Sequence, residues 1–262
     1  MARYEEVAAD LRQRIDQGEF PTGGTLPRYE DLTAHYGVGR GVISEAVGIL
    51  EREGLVRPVK RTGIVVLDRP ARRRVTRDQT ITRDPRRGYV FPAASHPGEA
   101  WQVHGRPVAD KQPATERVAE LLDVEPGAPT VRRRRVTSPA GEPPFQLVDT
   151  WLSDTAVQDS PQVAEPSTGP GGYLDRLEEA GHGPISWTEH LRVRMPTREE
   201  AALLQISPEL PILETVILGR SGRTSEVLEV TVRAIPSDRV ELVNELQRHR
   251  SASWPTSPVE TA

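Results

Sequence analysis

Arginines and a few carboxylates are the side chains whose placement could do chemistry in this chain, and the cationic ones fall into two sets. In the first, Arg28, Arg40, Lys60 and Arg61 stand where short helices begin or a hairpin turns. Cations so placed can meet phosphate oxygens and the edges of bases in a major groove. The second set lies in the run VRRRRV over residues 131–136. Side chains alternate along a strand, so Arg133 and Arg135 share one face and Arg132 and Arg134 the other. Two arginines on one face can grip an anionic ligand through charge-assisted hydrogen bonds. They can equally pair with Glu189 and Glu229 in a structural network across a sheet, and at this level both readings stay open.

The elements that must position the first set are local. Tyr4, Val7, Ala8, Leu11 and Ile15 recur at helical spacing over Tyr4–Gln17, with Gly18 as a stop. A second helix is expected over Arg28–Tyr36, with Leu32 and Tyr36 turned inward and Gly37 making the turn. A third, about Gly39–Glu53, puts Val42, Ile43, Ala46, Val47 and Leu50 on a core face and ends at Gly54. Strands Leu55–Val59 and Ile64–Leu67 then flank a basic turn. This order is a winged helix-turn-helix, which offers a helix N-terminus and a cationic hairpin to duplex DNA.

Composition narrows the alternatives. With 262 residues the chain can hold a head of about 70 residues and a second domain of roughly 150. Its net charge of −4 supplies no global basic field, so any attraction to nucleic acid must be local. The absence of cysteine excludes disulfides and thiolate metal sites. Lysine occurs only at Lys60 and Lys111, and the P-loop, HExxH and GxSxG patterns are missing, which removes several enzyme classes. The scattered histidines have no ligand spacing, so no metal, cofactor or catalytic residue is expected. No apolar run is long enough to span a bilayer, and the opening MARYEEVAAD is acidic rather than signal-like, so a cytoplasmic protein without membrane contact is expected.

Residues 69–87 carry eight arginines against two aspartates and no apolar periodicity. They are read as a basic linker over 69–97, serving either as a hinge with nonspecific phosphate attraction or as a solvated cover for acidic surface on the same protein. The second domain is expected over 98–248, with a disordered tail at 249–262. Strands are expected at Ala100–His104, Thr130–Thr137, Phe145–Leu152, Ile185–Met195, Ile212–Leu218 and Val227–Ile235. Helices are expected at Ala114–Leu122, Tyr173–Ala180 and Thr197–Leu204. Strands joined by hairpin-like turns, with fewer helices, give an α+β class with an antiparallel sheet.

The head resembles the GntR family of bacterial regulators, through Tyr4, Ile15, Gly18, Gly23, Leu26, Pro27, Leu32, Tyr36, Gly37, Val38, Arg40, Ala46, Leu50, Glu53, Gly54, Leu55 and Gly63. The resemblance implies DNA contacts from Arg28, Tyr29, Arg40, Ser44 and the wing-tip residues Lys60, Arg61 and Gly63. Departures are Glu30 where many members have arginine, Gly39 for serine, Val42 for threonine and Ser44 for a second arginine, which imply a changed operator. The stretches TERVAELLDVEPGAPTVRRRRV, GGYLDRLEEAGHGPISWTEHLRVRMPTREEAALLQI and LEVTVRAIPSDRVEL resemble the UTRA effector domain of the HutC-type branch. That implies a chorismate-lyase-like fold that holds a small ligand between sheet and helices and dimerises. Carried over residue by residue, the family pattern places Arg133, Arg135, Glu189, Arg194 and Glu229 at the ligand. Gln146 stands near where sugar-phosphate binders place a glutamate, and Tyr173 follows two glycines that allow close approach.

The expectation is a homodimeric repressor that reads an inverted-repeat operator in double-stranded DNA and is released by a small anionic effector. Two rivals are a DNA-binding regulator controlled by a protein partner or by no ligand, of the plasmid-maintenance type, and an enzyme with lyase-type chemistry in the second domain.

Overall fold

Helical periodicity builds the head. In this computed structural model, which describes residues 2–67, 72–77, 80–84, 88–91 and 99–252, the first helix α1 spans Arg3–Asp16 and buries Val7, Ala8 and Leu11. Against it pack Leu32 of α2 (Tyr29–Tyr36) and Ile43, Ala46, Val47 and Leu50 of α3 (Arg40–Arg52). Arg28 and Gly39 are extended N-caps, which is why α2 and α3 each start one residue later than the apolar pattern suggests. Gly37, at φ 62°, takes the left-handed conformation that ends α2 and turns the chain into α3. The wing pairs β1 (Val56–Val59) with β2 (Gly63–Val66), placing Lys60, Arg61 and Thr62 in its turn.

The linker is where expectation and structure part. Residues 73–76 form β3 (Arg73–Thr76), which runs parallel to β12 (Val240–Val243) near the C-terminus. A hairpin follows, β4 (Thr82–Asp84) with β5 (Gly88–Val90). Arginine-rich strands are hard to read from sequence because what holds them lies elsewhere in the chain. Arg73 pairs with Glu99 at 2.8 Å and Glu142 at 2.7 Å, Arg77 pairs with Glu189, and Arg83 pairs with Asp175 at 2.5 Å. Val75 and Gly88 are buried. The described part of the stretch is therefore strapped to acidic groups of its own protein and is not a bare solvated hinge. Arg69, Arg86 and Arg87 lie outside the described residues, as do the expected boundaries at 68–69 and 97–98.

The second domain is one six-stranded sheet with antiparallel neighbours in the order β6-β7-β8-β11-β10-β9. These strands are β6 (Trp101–Pro113), β7 (Pro129–Pro139), β8 (Gln146–Leu152), β9 (Ser186–Arg194), β10 (Ile212–Arg220) and β11 (Val227–Pro236). Expected as a five-residue strand, β6 continues through an irregularity between His104 and Val108, where Gly105 and Pro107 read as a break. Val118 and Ala119 of α4 (Glu116–Leu122) and Ala201 and Leu204 of α7 (Arg198–Leu204) cover one sheet face, over Trp151, Val216 and Val230 and over Val136, Leu147 and Ala234. The opposite face receives Ala156 of α5 (Asp154–Asp159) and Leu174 and Leu177 of α6 (Gly172–Leu177) over Val131 and Leu152. Too short for periodicity to betray, α5 starts on the hydroxyl of Ser153, which accepts from the Ala156 amide at 3.1 Å. The chain is thus α+β, with a winged helical head and an antiparallel-sheet domain.

Candidate functional site

On the head, Arg40 opens α3 with its guanidinium 5.3 Å from the centre of the Tyr29 ring, so two residues expected at DNA support each other directly. Arg28 caps α2, Ser44 sits one turn into α3, and Lys60, Arg61 and Gly63 shape the wing tip; all five are exposed. None of Arg28, Arg40, Lys60 and Arg61 has an ion pair among the described residues, which leaves four cations free for an outside anion. Val42 is half-buried and packs against the head core.

The second site can be read from strand register. One rung across the sheet holds Arg135, Val148, Arg233, Thr215 and Leu191. The rung on one side holds Arg133, Thr150, Thr231, Ile217 and Glu189, and beyond it lie Leu152, Glu229 and Gly219. On the other side stand Thr137 and Gln146. Over these rungs opens a cavity of about 420 Å³, floored by Arg135, Thr137, Gln146, Glu229, Thr231 and Arg233. Tyr173 and the Gly171–Gly172 turn form one wall, Tyr89 and Phe91 of the linker a second, and Trp101 and Val103 a third. The linker chain thus contributes directly to the cavity.

Its electrostatics are uneven. Arg135 has no hydrogen bond or ion pair among the described residues, and neither does Arg233, whose guanidinium rests 5.3 Å from the Phe91 ring centre. Deep in the floor, Glu229 is 1% exposed. Its Oε2 accepts from the Thr231 hydroxyl at 2.6 Å, while its Oε1 has no partner among the described residues. With the Thr231 hydroxyl hydrogen directed to Glu229, its oxygen is left to accept from Thr150 at 2.8 Å. Burial pushes the Glu229 carboxyl up to about 7, and Thr231, Arg233, Tyr173 and Arg135 only partly offset it. Tyr173 rises to about 12, through burial first and then the nearby Glu229. Opposite Glu229, Gly219 leaves the carboxyl its room, since a Cβ there would stand 2.8 Å from Oε1 and the side chain would have to shift.

The expected effector residues separate accordingly. Arg135, Gln146, Tyr173 and Glu229 come together in the cavity. Arg133 instead reaches sideways to the carbonyl oxygens of Val163 (2.6 Å), Glu165 and Pro166 (3.3 Å), clamping a loop, with Tyr173 at 5.5 Å from its guanidinium. Glu189 occupies the far end of its rung and pairs with Arg77. Arg194 is set on the opposite sheet face by strand parity, and there binds Glu200 at 2.6 Å and also Glu214. Sequence reading missed Thr231 and Arg233. The alternation Glu229, Thr231, Arg233 in LEVTVR was the available signal, because residues two apart on a strand share a face. No group of His, Asp and Glu is placed to hold a metal among the described residues.

Comparison with known proteins agrees with both halves. Residues 3–66 match the bacterial regulatory proteins of the gntR family, and residues 108–241 match the UTRA domain. An HTH-type transcriptional regulator of Rhizobium meliloti (strain 1021) is 27% identical over 92% of this chain and 94% of its own length. A protein named as a transcriptional regulator, PhnF of Escherichia coli (strain K12), is 23% identical over 93% of this chain and 95% of its own. The crystal structure of a GntR-family transcriptional regulator, 27% identical, covers 95% of this chain and 99% of that one with a TM-score of 0.54. These families and relatives are regulators rather than enzymes.

Proposed function

The chain belongs to the gntR family of bacterial regulatory proteins, in the HutC-type branch that carries a UTRA domain, and on that premise we propose how this transcriptional regulator works. It is a repressor that leaves its operator when a small anionic effector fills the sheet cavity. The observation that carries this reading is the rung holding Arg135 and Arg233, two cations without a hydrogen bond or ion pair among the described residues, facing a cavity. Residues 1–68 read DNA, 69–97 link, 98–248 bind effector and dimerise, and 249–262 are a tail. Arg40, Arg28, Tyr29, Ser44, Lys60, Arg61 and Gly63 meet the operator. Arg135, Gln146, Tyr173 and Glu229 meet the effector, while Arg133 and Glu189 hold the cavity's walls and Arg194 braces the other face.

Two heads in a homodimer meet an inverted repeat, each half-site one helical turn from the next. Effector binding shifts the population toward a spacing of heads that cannot reach both half-sites. Because Tyr89 and Phe91 belong to the linker and also wall the cavity, an occupant touches the segment that carries the head. The protein works in the cytoplasm, and none of its described helices is long and apolar enough to cross a membrane.

The test is binding of the purified protein to its own upstream DNA across a salt series, with a panel of anionic metabolites. Tight binding released by one of them is the expected result. DNA binding that no anion disturbs defeats the effector reading, and a monomer on DNA defeats the symmetric one.

A further inference from the structure

We propose that the seam between head and second domain holds a separate ligand site, for a small tetrahedral oxyanion such as phosphate or sulfate, gripped between Arg57 of the wing and Arg239 of the sheet domain. It lies apart from the sheet cavity and does not depend on the effector reading. A cleft of about 110 Å³ opens where β1 meets the segment after α7 and the turn between β11 and β12. From the head it is lined by Gly54 and Arg57, and from the second domain by Gln205, Ser207, Asp238 and Arg239. It has room for about four waters at roughly 30 Å³ each, or for one such oxyanion, but not for a larger metabolite.

Donors outnumber acceptors in this cleft. Arg239 is 8% exposed, its Nη1 donates to the carbonyl oxygen of Pro144, and its Nε–H is buried with no acceptor among the described residues. Arg57 reaches across from the head to the carbonyl oxygen of Gln205 at 3.5 Å, and its own Nε–H is likewise buried without an acceptor. Ser207, also buried, already accepts from the Glu209 amide at 3.2 Å, which leaves its hydroxyl hydrogen to give away. Against the two guanidiniums the lining sets one carboxylate, Asp238, and the neighbouring Glu209 is engaged with Arg52 at 3.4 Å, so the cleft is cationic. Burial lowers the pKa of Arg239, and Asp238 offsets this only in part. Buried N–H groups without acceptors are costly, and a tetrahedral oxyanion is a compact acceptor that planar guanidiniums can hold from two sides.

Such an anion would tie the head to the second domain. Gly54 comes so close that a Cβ there would stand 3.0 Å from Asp238 Oδ2, yet the Arg52 and Arg57 contacts across the seam are both long. Gly54 lies past the far end of α3 from Arg40, roughly 20 Å along the helix, so the tie can hold while the reading face is on DNA.

Hydrogen–deuterium exchange of the full chain, with sodium sulfate or phosphate traded against sodium chloride at constant ionic strength, reads the tie directly. At ten times the half-saturating concentration, amides in residues 54–57 and 205–210 should exchange about tenfold more slowly, while phenyl phosphate, too large for the cleft, gives no such slowing. Arg57→Gln should remove the oxyanion-dependent slowing and still bind operator DNA, and Ser207→Ala should raise the half-saturating concentration about fivefold or more. Arg135→Gln, which takes a cation from the sheet cavity, should leave the slowing intact, and a thermal melt of each variant confirms that it is folded. Slowing that survives Arg57→Gln, that chloride matches, or that never saturates overturns the seam site. Slowing lost with Arg135→Gln overturns it too, moving the anion to the sheet cavity, where the effector reading still stands. A panel of metabolites that never releases operator DNA defeats the effector reading without altering any of these results.

Discussion

Head and cavity both display arginines with no ion pair among the described residues, yet water makes them opposite cases. Arg28, Arg40, Lys60 and Arg61 are exposed, so hydration carries their charge at no cost to folding. In the cavity Arg233 is half-buried and Glu229 is sealed, and an ion withdrawn from water without a full set of partners destabilises the fold that holds it. Affinity at the head should therefore come with salt dependence and little stability cost. At the cavity, ligand recognition should come at the expense of stability.

The largest expected effect breaks that comparison at Glu229. Burial raises its folded pKa to about 7, above the ordinary carboxyl value of 4.5, so the stability it contributes is complete below the lower value and lost as pH rises through the higher one. Converted at about 1.4 kcal/mol per pH unit, Glu229→Gln should stabilise the protein by up to about 3 kcal/mol at pH 8 and by almost nothing at pH 4. Urea melts at the two values check this, and an equal change at both would show that the carboxylate is not strained by burial. Next comes Arg40→Ala, which should cost operator affinity roughly 1–3 kcal/mol with the urea midpoint unchanged; a large drop in that midpoint would make Arg40 a folding residue. A milder change, Lys60→Ala, should lower the slope of log affinity against log salt by about 1 across all sequences. An unaltered slope would take the wing tip off the phosphate backbone. Smallest is Gly48→Ala in the interior of α3, where a Cβ meets only the Arg52 guanidinium at 3.5 Å. It should stabilise the head by about 0.5–1 kcal/mol in thermal melts, and destabilisation would show closer packing around α3.

How much could be read in advance follows from how far apart the contacting residues lie in the chain. The head was legible nearly to its caps, because a helix announces its buried face every three or four residues and Gly37 marks its own turn. Register hides the cavity. Arg135 and Arg233 meet only because β8 pairs with β7 on one side and β11 on the other, and no local pattern states that order. Parity correctly put Arg133 and Arg135 on one face but could not say that the loop after Val163 offers carbonyls to Arg133. The strands of the linker were the least legible, since residues dominated by arginine show no apolar alternation and their partners Glu142, Asp175 and Glu189 lie far along the sequence.

The parallel pairing of β3 with β12 has a consequence for the order of assembly. Arg73 sits opposite Val240, and Arg74 reaches across to Glu241, 167 residues further on. Such a long loop is closed slowly and late. As the chain is synthesised, the head has every residue of its core long before the strap beneath it can be fastened. A protein halted before Val240 would carry a finished reading head on an unfastened tether.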